Sequence, residues 1–180
     1  MRLLETILPS RRGTYERAGF MLYAQAVAAA REPLFYLVHG VPDTLDGRFD
    51  LVTLFAALVI ERLRTASAPG PELAQAVFDA MFSDMDVTLR EMGVGDLSVG
   101  KKVRKMWEAF HGRALAYGAA LQAADEVGLA VAIARNIWRG KPPPDGAAEF
   151  LARHALNVHR DLTGQSLEAL ARGEVRLVAP

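Results

Sequence analysis

The sequence predicts an all-α fold, a single helical bundle of about six to seven helices with short connections and an extended C-terminal tail. Apolar residues recur at helical spacing along nearly the whole chain. No stretch alternates apolar and polar residues between turn signals, as exposed strands do. The length of 180 residues is ample for one core and short for two, so we expect one domain over 1–180 with its core at about 12–172.

The first predicted helix covers about residues 12–31 and stops before Pro33, because the residue that precedes a proline disfavours the helical conformation. A short helical turn at "PLFYLV" and a loop at "HGVPDT" follow. Thr44 or Asp46 can cap the next helix, at about 46–65. Its apolar run "LVTLFAALVI" is far shorter than the ~20 residues of a membrane span, so it is predicted to be a core helix.

Two longer helices, at about 72–92 and 98–123, each carry one apolar stripe that we expect in the core. Gly93 is the predicted C-terminal cap of the first, and Ser98 is the plausible N-cap of the second. The stripes consist of Phe78, Met81, Phe82, Met85, Leu89 and Met92 in the first helix, and of Val103, Met106, Trp107, Phe110, Ala114, Tyr117 and Leu121 in the second.

The C-terminal part continues the helical pattern, with a helix at about 125–139 and a last one at about 146–172. Gly164 interrupts the last helix and Gly173 can cap it. The tail "EVRLVAP" is expected to be extended and to lie on the bundle.

The glycine-rich connector "REMGVGDLSVGKK" does not fit a phosphate-binding loop. Ser98 stands where a dinucleotide fingerprint needs its third glycine. Lys101 after Gly100 is followed by another lysine instead of the Ser or Thr of a P-loop. Because both flanks are predicted helices, the connector is interpreted as a bend between them.

Composition excludes several classes of protein. The absence of cysteine rules out disulfides, thiolate metal sites and cysteine nucleophiles, and it fits a reducing compartment. Formal net charge is zero, which is not typical of a general nucleic-acid binder, and no DNA partner is predicted. The N-terminal segment "MRLLETILPSRR" lacks the uninterrupted apolar region of a secretory signal.

No catalytic, metal or cofactor site is predicted. The four histidines never stand at i,i+4 spacing, and no serine lies in a G-x-S-x-G motif. Asp84 and Asp86 point about 200° apart on a helix, so they cannot converge on a metal from that helix alone. His154 is expected at the boundary of the last helix and His159 on its surface.

A basic run opens the second long helix, and it stands where the helix dipole disfavours cations. It consists of Lys101, Lys102, Arg104 and Lys105. One interpretation is intramolecular pairing with the preceding acids, namely Asp84, Asp86, Glu91 and Asp96. The other is a docking patch for an acidic partner such as RNA phosphate, anionic lipid or a protein. Helix-turn-helix DNA binding is disfavoured, because the helix is predicted to bury the side chains that would read bases.

Four segments resemble the ubiquinol-cytochrome c chaperone family, whose members are assembly factors related to the mitochondrial cytochrome b chaperone. The segments are "GRFD" at 47–50, "FDAMFSDMD" at 78–86, "LREMGVGDL" at 89–97 and "AFHGR" at 109–113, with weaker similarity from about Tyr15 to "RNIWRG" at 135–140 and the last helix. The motif residues are Arg48, Phe49, Asp79, Asp84, Asp86, Arg90, Glu91, Gly93, Gly95 and Asp96.

The resemblance implies a non-catalytic protein that binds newly made cytochrome b and supports assembly of the cytochrome bc1 complex. It further implies a bacterial member, cytoplasmic and peripheral to the inner membrane, with the ribosomal tunnel exit and a small partner subunit as further partners. The candidate binding surface consists of Lys101, Lys102, Arg104, Lys105 and Arg113. The alternative is an all-α module that docks on RNA or the ribosome through the basic run.

Overall fold

The chain folds into helices that pack around one central helix. The computed structural model describes Gly13 and residues 15–180, and in this part of the chain all regular secondary structure is helical. The predicted all-α fold is therefore confirmed, whereas the segment "MRLLETILPSRR" lies outside the described residues. The helices are α1 (Glu16–Ala30), α2 (Pro33–Leu37), α3 (Leu45–Arg64), α4 (Gly70–Glu91), α5 (Asp96–Gln122), α6 (Glu126–Ile137), α7 (Ala147–Gly164) and α8 (Leu167–Ala171).

Helix α3 is the centre of the bundle. It packs against α1, α4, α5, α6 and α7, and every residue from 51 to 59 is buried. An apolar run is buried all round when neighbours surround the helix, so the prediction of a core helix is confirmed. Of the two candidate caps, Thr44 is the one that acts: its hydroxyl accepts a hydrogen bond from the backbone N–H of Gly47 over 3.1 Å.

The connection from α4 to α5 is a tight glycine turn. Gly93 has φ 79°, the N–H of Val94 donates to the carbonyl of Leu89 over 3.0 Å, and the N–H of Gly93 donates to that of Arg90 over 2.9 Å. This pair of bonds is the Schellman ending that a left-handed glycine allows, so the predicted cap at Gly93 is confirmed.

The predicted N-cap at Ser98 is wrong. Helix α5 already begins at Asp96, with extended Gly95 as its N-cap, and Ser98 lies in the first turn. The helix can start early because a carboxylate at Asp96 complements the positive end of the helix dipole.

The C-terminal part follows the prediction closely. Helix α7 ends at Gly164, α8 is capped by the Ser166 hydroxyl, and Gly173 has φ 82° directly after it. Val175, Leu177 and Val178 of the tail pack against the core. The backbone of Arg176 is held by the Gln165 side chain through two hydrogen bonds of 2.7 and 3.0 Å. The tail therefore lies on the bundle, as expected.

The expected positions of two histidines need correction. His154 is buried in the core, with its ring centroid 5.7 Å from that of Phe35 and 5.9 Å from that of Phe55. His159 is half-buried. Burial lowers the pKa of both imidazoles, because an apolar environment disfavours their charged form.

Candidate functional site

A buried carboxylate joins two of the four motif segments to a stretch of weaker similarity. Asp50, from "GRFD", has no exposed surface, and its Oδ1 lies 2.8 Å from Nη2 of Arg113, from "AFHGR". Arg139, from "RNIWRG", donates hydrogen bonds of 2.9 and 3.2 Å to the two oxygens of Asp50 and one of 2.7 Å to Asp46. The cluster ties α3 to α5 and to the residues that follow α6.

The electrostatics of this cluster are governed by burial. Loss of solvent raises the pKa of Asp50, although the guanidinium groups of Arg139 and Arg113 act in the opposite direction. A buried carboxylate of this kind depends on its partners, because it has no water to replace them.

Arg113 does not belong to an exposed basic surface, and this part of the prediction is corrected. Only 12% of its side chain is exposed, and its guanidinium carbon lies 5.6 Å from the centre of the Phe49 ring. The reason is its position on α5 opposite buried Asp50. Neither Asp50 nor Arg139 is among the site residues predicted from the sequence, although both stand in segments quoted for the resemblance.

The other residues of "GRFD" shape the entry to α3. Arg48 pairs with Asp43 over 2.6 Å, and both side chains are exposed. A Cβ atom on Gly47 would lie 2.0 Å from the carbonyl oxygen of Pro42, so no larger residue fits there without a backbone shift.

Four of the five acidic motif residues bind a side chain of the bundle. Asp86 binds Arg90 over 2.6 Å, as the i,i+4 spacing predicts, and Arg90 also binds Asp96. Asp84 accepts a hydrogen bond of 2.7 Å from the Tyr23 hydroxyl. Asp79 accepts a hydrogen bond of 2.7 Å from the Gln75 amide, and Glu91 is exposed.

The side chains of the basic run are exposed to solvent. Arg104 binds Glu108 over 3.2 Å, whereas Lys101, Lys102 and Lys105 form no ion pair with any residue that the structure describes. The interpretation of intramolecular pairing with the preceding acids therefore does not hold for these lysines. For Asp86 and Asp96 the physical reason is competition, because the planar group of Arg90 binds both of them.

A groove of about 780 Å³ runs between α3, α4 and α5, and we call it the apolar groove. It follows α5 from Trp107 to Gln122, roughly 22 Å of helix at 1.5 Å per residue. Its lining combines small side chains with larger apolar ones, namely Ala57, Ala74, Ala114, Gly118 and Ala119 with Ile60, Phe78, Trp107, Phe110 and Leu115.

One end of the apolar groove is polar. The carboxylate of Glu61 accepts hydrogen bonds from Arg64, at 2.9 to 3.1 Å, and from the Gln122 amide, at 2.6 Å. The opposite end is aromatic, where the His111 ring lies 3.9 Å from that of Trp107 and 5.6 Å from that of Phe78. Such a surface suits an apolar segment that carries a polar group near one end.

The groove explains why part of the predicted core is exposed. Trp107 is 45% exposed and Met92 is 57% exposed, while Val103 and Met106 are half-buried. Of these residues, Trp107 lines the groove and lies on the face that it leaves open, so helical spacing alone could not separate core from binding surface. Met81, Phe110, Tyr117 and Leu121 are buried as predicted.

Comparison with known proteins identifies the family. The family model described as ubiquinol-cytochrome C chaperone matches residues 37–177, which include the buried cluster and the groove. The chain belongs to the ubiquinol-cytochrome c chaperone family. The resemblance inferred from the four motif segments is therefore confirmed.

Relatives of this chaperone family are found among animals and bacteria. The chain is 25% identical over 162 residues to ubiquinol-cytochrome c reductase complex assembly factor 1 of Mus musculus, and 23% identical over 161 residues to that of Xenopus laevis. Each alignment covers 88% of this chain, but only 54% of the mouse protein and 79% of the frog protein.

A solved structure of similar fold is the crystal structure of the Cbp3 homolog from Brucella abortus. It superposes with a TM-score of 0.81 at 36% identity and covers 93% of this chain and 92% of that one. In the part of this chaperone chain that the structure describes, no helix is both long enough and apolar enough to cross a bilayer.

Proposed function

We propose that the chain is a non-catalytic assembly factor of the cytochrome bc1 complex that binds newly made cytochrome b. The single observation that supports this most is the family match over residues 37–177, joined by similarity to the Brucella abortus structure over almost the whole chain. The names of the animal relatives support an assembly role for the same enzyme complex. We also propose that the chain works at the cytoplasmic face of the inner membrane, near the ribosomal tunnel exit and with a small partner subunit.

The apolar groove is the surface on which we propose that the client binds. Cytochrome b is a membrane protein, so its unassembled helices carry apolar surface that needs a partner outside the bilayer. Small residues such as Ala114 and Gly118 let a helix backbone approach closely, and the exposed indole of Trp107 supplies apolar contact area at the rim. A helix of the client laid along α5 would cover these side chains.

The role is tested by deleting the gene in the organism that encodes it. We expect assembled bc1 complex to fall while transcripts of its subunits stay constant, and an affinity-tagged copy to restore assembly and to recover cytochrome b that lacks haem. Normal bc1 levels in the deletion strain would show that the proposed role is wrong.

The client surface is tested separately in the complemented strain. Leu115 lines the groove and is 76% exposed, so Leu115→Asp places a charge in the groove at little cost to the fold. Leu37→Asp, at an exposed leucine of α2 outside the groove, is the matched control. Recovery of cytochrome b should fall only with Leu115→Asp. An equal loss with both variants would show that the groove is not the client surface.

A further inference from the structure

The start of α5 and the turn before it expose apolar and cationic side chains side by side. Leu97 is 93% exposed and Met92 is 57% exposed. Leu97, Lys101 and Lys105 follow at intervals of four residues, so they lie along one face of α5. Lys102 is exposed beside them. We call residues 92–105 the basic tip.

The charge of the basic tip is positive once the ion pairs are accounted for. Arg90 holds Asp86 and Asp96, and Arg104 holds Glu108. Of the acids that precede the basic run, Glu91 and Asp84, which binds only the Tyr23 hydroxyl, have no ion pair among the described residues, against three lysines in the same condition. The excess of cations therefore faces solvent, where it is available to an anionic partner.

We propose that the basic tip docks on the surface of an anionic lipid bilayer. The lysines would bind headgroup phosphates, while Leu97 and Met92 enter the interface between headgroups and acyl chains. Lysines alone would suit RNA equally well, but RNA phosphate offers nothing to two exposed aliphatic side chains. The combination of both kinds of side chain favours lipid. The inference rests on the proposed function in that the client is a membrane protein and the chain is proposed to work at the membrane face.

Vesicle binding of the whole chain tests the proposal at low salt. The vesicles contain equal parts of phosphatidylglycerol and phosphatidylcholine, or phosphatidylcholine alone. We expect binding only to the anionic vesicles. Each lysine near such a surface contributes on the order of fivefold in affinity, so K101Q/K102Q/K105Q should weaken binding about a hundredfold.

Two further variants separate local contact from net charge. The triple variant R17Q/R135Q/K141Q removes the same number of positive charges at exposed positions on other elements, and its binding should stay within about threefold of the unmodified chain. Leu97→Gln keeps every charge and should still weaken binding, because it removes the most exposed apolar side chain of the tip.

Several results would overturn the proposal. These are equal binding to both kinds of vesicle, no binding to either, an equal loss with both triple variants, or unchanged binding with Leu97→Gln. Binding to poly-uridine that the lysine variant abolishes, without binding to vesicles, would assign the tip to RNA instead. Failure on vesicles leaves bc1 assembly and recovery of cytochrome b untouched, so it is distinguishable from failure of the proposed function.

Discussion

Arg113 and Asp50 form a buried ion pair of 2.8 Å between α5 and α3, and this pair joins the motif segment at 109–113 to the one at 47–50. Asp50 is fully buried, and Arg139 completes its coordination from the residues after α6. These two motif segments therefore have a structural role: they hold α5 against α3, and both helices line the apolar groove.

Breaking this pair should strongly destabilise the fold. Asp50→Asn leaves the buried Arg113 guanidinium without a charged partner, and Arg113→Met leaves Asp50 with Arg139 alone. Each substitution should lower the free energy of unfolding by about 3 kcal/mol or more, measured by urea denaturation. Arg104→Met breaks an exposed pair on the same helix and should cost less than about 1 kcal/mol. Similar small losses for all three variants would show that the buried cluster does not stabilise the bundle.

Alanine substitutions at two glycines of the turn between α4 and α5 should differ in their effect on stability. Gly93 has φ 79°, which an alanine adopts only with strain, whereas Gly95 has φ −63° and open space around its Cβ position. We expect Gly93→Ala to lower stability by about 1 kcal/mol or more, and Gly95→Ala to lower it by less, because alanine there is only a poorer N-cap. Thermal unfolding of both variants checks this, and equal melting temperatures would contradict a required left-handed residue at 93.

Stability should fall in mild acid partly because of His154. Burial holds the pKa of this imidazole below its ordinary value of 6.5. Below pH 6.5 the unfolded chain therefore binds the proton more readily than the folded one, and stability declines as pH falls towards the folded pKa. His154→Phe keeps an aromatic ring beside Phe35 and Phe55 and removes the titrating group.

The measurement for His154 is the difference in unfolding free energy between pH 7 and pH 5. His154→Phe should reduce that difference, and His111→Phe, at an exposed position, is the control. His159 and His39 also have a lowered pKa, so part of the acid effect should persist in the variant. An unchanged difference in His154→Phe would exclude His154 as a contributor.

Filling the groove should impair client binding without loss of stability. Ala119 lines the groove and is exposed, so Ala119→Phe adds a ring where the client helix is proposed to lie. Ala28→Phe makes the same change at an exposed position of α1, outside the groove. Recovery of cytochrome b should fall about tenfold with the first variant only, while both unfold within about 0.5 kcal/mol of the unmodified chain. Normal recovery with Ala119→Phe would place the client elsewhere.

Much of the fold could be predicted because its signals are local. Pro33, Thr44, Gly93 and Gly173 end or begin helices through backbone preferences that act within a few residues. Helix α5 shows the limit of such signals: its stripe at 3.6-residue spacing covers both buried Phe110 and exposed Trp107. Spacing identifies one face of a helix, but whether a neighbour covers that face depends on how the other helices pack.

The site was less predictable for the same reason. Arg113 and the lysines of the basic run share a helix and a charge, yet Arg113 turns inward to Asp50 while Lys101 and Lys105 face solvent. Three of the four acids considered as partners for those lysines are held by Arg90 and Tyr23 instead. The partner that a charged side chain binds depends on distances in the folded structure. The sequence of the motif segments does not specify those distances.

Photo-crosslinking from the groove during synthesis of cytochrome b tests most directly whether the client binds in the apolar groove. A benzoylphenylalanine replaces Leu115 in the groove or, as control, Leu37 on α2, and newly made proteins are pulse-labelled before irradiation. If the client binds in the groove, we expect a labelled adduct with cytochrome b from position 115 that disappears during the chase as the complex assembles. An adduct of equal strength from position 37, or none from position 115 while assembly proceeds, would contradict binding in the groove.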